Sequence, residues 1–236
     1  MEKVLIDNYE LIKVSLDGAV AVFSTGKSGL DFNKNTEEGQ KNIKNIKKWF
    51  DVKEVGYMNQ VHSDCVITYD GEVKEGDALI TNKENTALGV FTADCVPILL
   101  YDKKNKAIAA IHSGWRGTFS CIALKTIERM EKQYGTKAED LVAYIGPHMH
   151  QCCYEVSVEI INQFKNHDIY KGVELSDGRM LSMTKCIFHQ LRTKGLKEEN
   201  IKDLNICTFC DKEYELHSYR KSTNKYGRMF SFIFLK

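Results

Sequence analysis

The chain has little proline and little net charge. Two prolines in 236 residues, with no low-complexity tract, leave nothing that reads as an interdomain linker. Lysine and arginine number 33 against 32 aspartates and glutamates, a formal charge of +1. That is too weak a field to gather nucleic acid or an anionic membrane surface. No apolar run approaches the roughly 18 residues of a membrane-spanning helix. The first residues, Met1 to Asp7, lack the long apolar stretch of a secretory leader. These absences point to a cytoplasmic protein of one domain, residues 1–236, that binds neither nucleic acid nor membrane. In such a compartment the eight cysteines are expected to be buried, metal-bound or catalytic rather than paired. Composition does not set the oligomeric state.

What is present is a dense alternation of strand-like and helix-like stretches. Leu11 to Leu16 and Ala19 to Ser24 flank Asp17-Gly18, a hairpin signal. Thr36-Glu37-Glu38 opens a lysine-rich helix to about residue 50, with Ile43, Ile46, Trp49 and Phe50 at helical spacing. Strands are expected over 54–60, 65–69, 78–81, 88–91, 98–101 and 107–111, several apolar throughout and so buried on both faces. A helix is expected from Gly117 to about Gln133, then a strand over Leu141–Ile145 ending at Gly146-Pro147. Helices over 155–164 and 182–194 and closing strands over 201–207, 216–220 and 229–235 complete the reading. The fold class is α/β with α+β character, mixed β-sheets sandwiched by helices.

Three short segments carry candidate chemistry: Asn59-Gln60-Val61-His62-Ser63, Thr92-Ala93-Asp94-Cys95-Val96-Pro97 and His112-Ser113-Gly114-Trp115-Arg116-Gly117. Each closes an apolar run and delivers one borderline or soft ligand, His62, Cys95 or His112. Three ligands drawn from His and Cys are what a catalytic zinc uses, with the fourth position left open. From the residues alone two other readings stand beside this one: three unrelated buried side chains, or Cys95 as a nucleophile with His112 or His62 as its base. The glycines after His112 allow close backbone approach, and amides at the coming helix start are candidates for anion binding.

These blocks, with Gly76-Asp77-Ala78-Leu79, Ile145-Gly146-Pro147, Cys152-Cys153-Tyr154-Glu155-Val156, Cys207-Thr208-Phe209-Cys210, Ser218-Tyr219-Arg220 and Gly227-Arg228-Met229, stand in the order of one family. The chain resembles, over nearly its whole length, the laccase-domain or multicopper polyphenol oxidase family, whose members are now read as purine nucleoside phosphorylases with adenosine deaminase activity. The resemblance implies that His62, Cys95 and His112 bind zinc, with copper as the alternative. It also implies a mixed-sheet sandwich related at fold level to a cysteine-dependent bacterial toxin domain.

The activity implied is phosphorolysis of adenosine, inosine and S-methyl-5′-thioadenosine, with zinc-assisted deamination of adenosine. Cys95, Asp94, Arg116 and Gln60 are the candidate catalytic residues, and Lys27, Gln60 and Arg116 the candidate substrate-binding ones. Asp94 and Asp77 are candidates for moving protons or for orienting ligand histidines. Arg116 offers a planar fork for phosphate. The sequence departs from the family at Ser24-Thr25-Gly26-Lys27-Ser28-Gly29, where the family carries an arginine; Lys27 is the expected substitute. It departs again at Pro147-His148-Met149-His150-Gln151, where His148 and His150 are further candidate ligands. Cys207-x-x-Cys210 lacks a matching second pair unless Cys152-Cys153 supplies it. Copper-dependent phenol oxidation and a Cys95 hydrolase remain the alternatives, the first calling for more copper ligands than this one set provides.

Overall fold

The computed structural model describes residues 1–222 and 226–236. The chain opens with β1 (Glu2–Ile6), β2 (Tyr9–Leu16) and β3 (Ala19–Ser24), then α1 (Glu37–Phe50). Next come β4 (Glu54–Gly56), β5 (Val66–Thr68), β6 (Ala78–Thr81), β7 (Thr86–Thr92), β8 (Val96–Asp102) and β9 (Ala107–Ser113). Helices α2 (Trp115–Phe119) and α3 (Ile122–Tyr134) lead to β10 (Leu141–Ile145). Then follow α4 (Val158–Asn166), a small hairpin of β11 (Ser176–Asp177) and β12 (Met180–Leu181), α5 (Met183–Lys194), β13 (Ile201–Asp203) and β14 (Met229–Leu235).

Two sheets form, ordered β1-β2-β3-β14-β7-β4 and β13-β10-β8-β9-β6-β5. Most pairings are antiparallel; β4–β7, β5–β6 and β10–β13 are parallel. The sheets face each other across a core that includes Val14, Ala21, Phe23, Val90, Leu99, Ala110 and Ile233. Helix α1 covers the far side of the first sheet, packing Ile43 and Ile46 on Leu11, Val22, Phe230 and Phe232. Helices α3, α4 and α5 cover the far side of the second, with Ile127, Phe164 and Leu191 on Ile98, Leu100 and Ile111. Four layers bury both faces of the central strands, which is why β3, β7, β8, β9 and β14 are apolar almost throughout although their pairings, apart from β4–β7, are antiparallel. Among the described residues no helix is long and apolar enough to cross a membrane.

Local chemistry sets the element ends. The two-residue turn Asp17-Gly18 joins β2 and β3 with Leu16 opposite Ala19, and Gly18 takes a φ of 93°. Thr36 caps α1 by accepting from the Gly39 amide at 3.1 Å; Glu37 and Glu38 sit in its first turn, and Lys47 and Lys48 in its last.

Several expected boundaries shift. The helix expected from Gly117 to Gln133 is two helices, broken where Cys121 adopts a left-handed φ of 59°. The helix expected from Glu155 starts only at Val158, where the Ser157 hydroxyl accepts from the Ile160 amide. The expected strand 54–60 stops at Gly56, and that over 201–207 stops at Asp203. Residues 216–220 form no strand. Their loop is held instead by His217 against the Leu30 carbonyl oxygen and by the Arg220 amide, which donates to Asp94.

Candidate metal centre

Sheet register alone brings part of the site together. In the β8–β9 pair Pro97 lies opposite His112, so Cys95, just before β8, sits beside that histidine. In the β6–β9 pair Ala78 lies opposite Ile111, and the His112 amide donates to the Asp77 carbonyl oxygen at 2.7 Å. His62 comes from a loop well past the end of β4, not from a strand end as its apolar neighbours suggest, and adopts a left-handed φ of 58°. That conformation is costly for a residue with a side chain. The buried Asp77 carboxylate over-determines it, accepting from the amides of Val61, His62 and Ser63 at 3.3, 3.1 and 2.6 Å and from the Ser63 hydroxyl at 2.7 Å.

The same carboxylate lies 2.8 Å from His112 Nδ1, which fixes the ring with Nε2 free to face Cys95. One atom each from His62, Cys95 and His112 converges within 4.8 Å, with Cys95 Sγ 4.0 Å from His62 Nε2. A tetrahedral zinc with ordinary Zn–S and Zn–N bonds sets sulfur and nitrogen about 3.5 Å apart, so a small inward movement closes the set. Burial pushes the Cys95 thiol up, yet the adjoining His112 and His62 bring it down to about 6. Burial disfavours charge on His112, yet Cys95 and Asp77 raise it to about 9. Asp77, despite its burial, is held near about 2 by His112 and Ser63. A thiolate and two imidazoles at the wall of a cavity suit a borderline divalent ion. Space is kept by Gly114: a Cβ there would lie 2.9 Å from His62 Cδ2 and 3.3 Å from Cys95 Sγ.

The centre lies in the wall of a cavity of about 650 Å³, within the range of small-molecule sites. Lys34, Arg116, Arg220 and Arg228 line it against one carboxylate, Asp94, among the described residues. Phe91, Trp115, Tyr154, Tyr219 and Tyr226 supply aromatic faces. The Arg116 guanidinium lies over the Trp115 ring at 4.5 Å and also lines the cavity. Helix α2 is too short to give the anion-binding amides expected near Gly117, a buried residue.

Other sequence candidates fall differently. Gln60 lines the cavity, but its amide is bound to the Phe91 backbone, Nε2 donating at 2.8 Å and Oε1 accepting at 2.7 Å, so it ties the His62 loop to β7. Asp94 accepts from the Thr208 hydroxyl at 2.7 Å and the Arg220 amide at 2.9 Å, joining two loops at the cavity edge. Lys27 is not part of the cavity lining; its Nζ pairs with Glu10 at 3.2 Å, because the turn after β3 runs back against β2. His148 is fully buried with Nδ1 on the Gly146 carbonyl oxygen and Nε2 on the Thr184 hydroxyl, so it has no nitrogen left for a metal, although His150 and Asp203 lie close. The cysteine pairs do meet: Cys152, Cys153, Cys207 and Cys210 form one group. Sequence reasoning gave no role to Lys34, Arg220, Arg228 or Tyr154; the last three stand in the motif blocks quoted above, and only the fold aims them inward.

Fold and site together define a four-layer α/β protein with a His–Cys–His centre in a cationic, aromatic cavity. The family model described as multi-copper polyphenol oxidoreductase laccase matches residues 17–236, and the chain belongs to that family. Among its relatives is a purine nucleoside phosphorylase of Clostridium acetobutylicum, 49% identical over 98% of both chains. Another, a purine nucleoside phosphorylase of Aquifex aeolicus, is 34% identical over 90% of this chain and 97% of its own. Among solved structures, YlmD of Geobacillus stearothermophilus superposes with a TM-score of 0.84 at 21% identity, covering 93% of this chain and 92% of that one. YfiH of Bacillus licheniformis superposes with a TM-score of 0.82 at 24% identity, covering 92% and 93%.

Proposed function

We propose that the protein is a purine nucleoside phosphorylase that uses adenosine, inosine and S-methyl-5′-thioadenosine, with adenosine deamination as a second activity. The observation that carries this reading is the single cavity in which the His–Cys–His centre, four cations and five aromatic rings meet. The phosphorylase part of this reading is supported by relatives named purine nucleoside phosphorylase that match 98% and 90% of the chain. When bound by His62, Cys95 and His112, zinc would supply Lewis-acid polarisation at its open position; copper is the alternative ion.

Phosphorolysis joins a phosphate oxygen to C1′ of the ribose while the bond to the purine nitrogen breaks and the purine takes up a proton. Arg116, its plane set by Trp115, presents a fork to two phosphate oxygens. Lys34, Arg220 and Arg228 form no ion pair among the described residues, so their charge is available to the substrate. The purine and ribose stack on the aromatic faces. Burial raises the Tyr154 phenol to about 12, so it keeps its proton through the neutral range and can donate to the departing base. For deamination, Asp94, the one carboxylate in the cavity lining among the described residues, is the candidate to carry a proton once it releases Thr208 or Arg220, whereas Asp77 is buried against His112 and the His62 loop.

The test is chromatographic analysis of adenosine incubated with protein of known metal content, with and without phosphate, beside Cys95→Ala. Adenine formed only with phosphate, and absent from the variant, supports the phosphorylase. Inosine without adenine leaves the deaminase alone. Loss of neither nucleoside nor phosphate from a folded, zinc-loaded sample rejects both and returns Cys95 to consideration as a nucleophile.

A further inference from the structure

We propose that Cys152, Cys153, Cys207 and Cys210 form a second metal site, a closed tetrathiolate centre for a single zinc ion that staples two loops of the cavity wall. The four sulfurs lie within 4.8 Å of one another, with Cys152 Sγ 3.9 Å from Cys207 Sγ and 3.6 Å from Cys210 Sγ. Four thiolates around one ion at the usual Zn–S length of about 2.3 Å stand about 3.8 Å apart. The two observed separations bracket that edge, and the other pairs lie within 4.8 Å. Both are far beyond the roughly 2.05 Å of a disulfide, and a cluster of several irons would hold its four cysteines further apart than one ion does.

The backbone supports the same reading. Cys207-Thr208-Phe209-Cys210 is a tight turn closed by the Asp211 amide, which donates to the Cys207 carbonyl oxygen at 3.0 Å. The opposite loop is a turn in which the amides of Cys153 and Tyr154 both donate to the His150 carbonyl oxygen, at 2.9 and 3.0 Å. A short bridge fixes the two loops side by side: the His148 amide donates to the Ile206 carbonyl oxygen and the Thr208 amide to that of His148. Cys207 is buried, while Cys152 and Cys210 are exposed and leave an entry path for the ion.

The four cysteines occupy every position of a tetrahedron, so this centre has no open site and performs no chemistry. Its consequence is mechanical. One loop continues into Tyr154, which lines the cavity, and the other carries Thr208, which holds Asp94. An ion across them keeps that wall in place. The site stands independently of the proposed activity and of the His62, Cys95 and His112 centre.

The test is zinc per chain, measured by elemental mass spectrometry on protein purified under reducing conditions with zinc present. Wild type, Cys95→Ala, Cys210→Ser and the double variant should hold two, one, one and no zinc. Cys210 is exposed, so its variant should fold, with circular dichroism as the check. If it does not, cobalt exchanged into Cys95→Ala gives the answer: the strong sulfur-to-cobalt charge-transfer bands of a four-thiolate site are expected. Zinc absent from folded Cys95→Ala, an intact mass four hydrogens lighter for two disulfides, or the colour of an iron–sulfur cluster would each overturn the proposal.

Discussion

Asp77 Oδ1 lies 2.8 Å from His112 Nδ1, and the same carboxylate gathers three consecutive backbone amides from Val61 to Ser63. One side chain therefore orients one ligand and folds the loop that delivers another. Asp77→Asn keeps the shape but removes the charge and turns one acceptor into a donor among donors. Metal affinity at this centre should fall by roughly 10- to 100-fold, the usual effect of losing a carboxylate behind a ligand histidine. Competition with a chromophoric chelator measures it. An unchanged affinity would mean that the loop holds His62 without this hub.

Gly114 takes a φ of −72° and ψ of 174°, a conformation open to any residue. Gly114→Ala should therefore leave the fold intact, and its effect should come from the added methyl alone. That methyl meets His62 Cδ2 and Cys95 Sγ. The expected result is a folded protein with an unchanged melting temperature in its metal-free form and loss of the ion bound by Cys95. A variant that retains that ion would show that His62 can retreat.

The meeting of His62, Cys95 and His112 was legible because each lies in a short block with a distinctive composition, and because strand register carries Cys95 and Asp77 to His112 without long excursions. The central strands were legible for a related reason: burial on both faces leaves apolar runs. Partners set by distant loops were not. Lys27 looked available because nothing local shows that Glu10, on β2, lies beside it. Cys152 and Cys207 are 55 residues apart, so their meeting leaves no spacing signature. Arg220 was expected on a strand, and its place at the cavity depends on a loop tied down by Asp94.

Lys27 and Arg116 can be separated by experiment. Lys27→Ala breaks a half-exposed ion pair, worth little in water, and leaves the buried Glu10 carboxylate alone, with one oxygen already unpartnered. The variant should melt at a lower temperature yet keep its KM for phosphate within about twofold. Arg116→Ala should raise that KM by about tenfold or more, since a hydrogen bond between charged groups contributes roughly 1.5–3 kcal/mol. Phosphate titrations at saturating nucleoside decide it. A large phosphate defect in the Lys27 variant would place the anion against the β3 turn.

His148 makes a prediction about acid stability. Burial holds its imidazole neutral, with a pKa lowered to about 3, and both nitrogens are engaged. The unfolded chain takes up this proton near pH 6.5. A folded pKa below the unfolded one contributes stability above pH 6.5 that is lost as the pH falls toward 3. The slope is at most one proton, about 1.4 kcal/mol per pH unit. Acid also strips metal from thiolates, so the comparison is between wild type and His148→Gln, which can keep a donor toward Gly146 and an acceptor toward Thr184 but does not titrate. Urea unfolding of both metal-free proteins from pH 7 to 4 should show wild type losing stability faster, the difference growing by up to that slope below pH 6.5. Parallel curves would mean that His148 takes up its proton in the folded protein as readily as in the unfolded chain, with the Thr184 hydroxyl accepting the second N–H hydrogen bond.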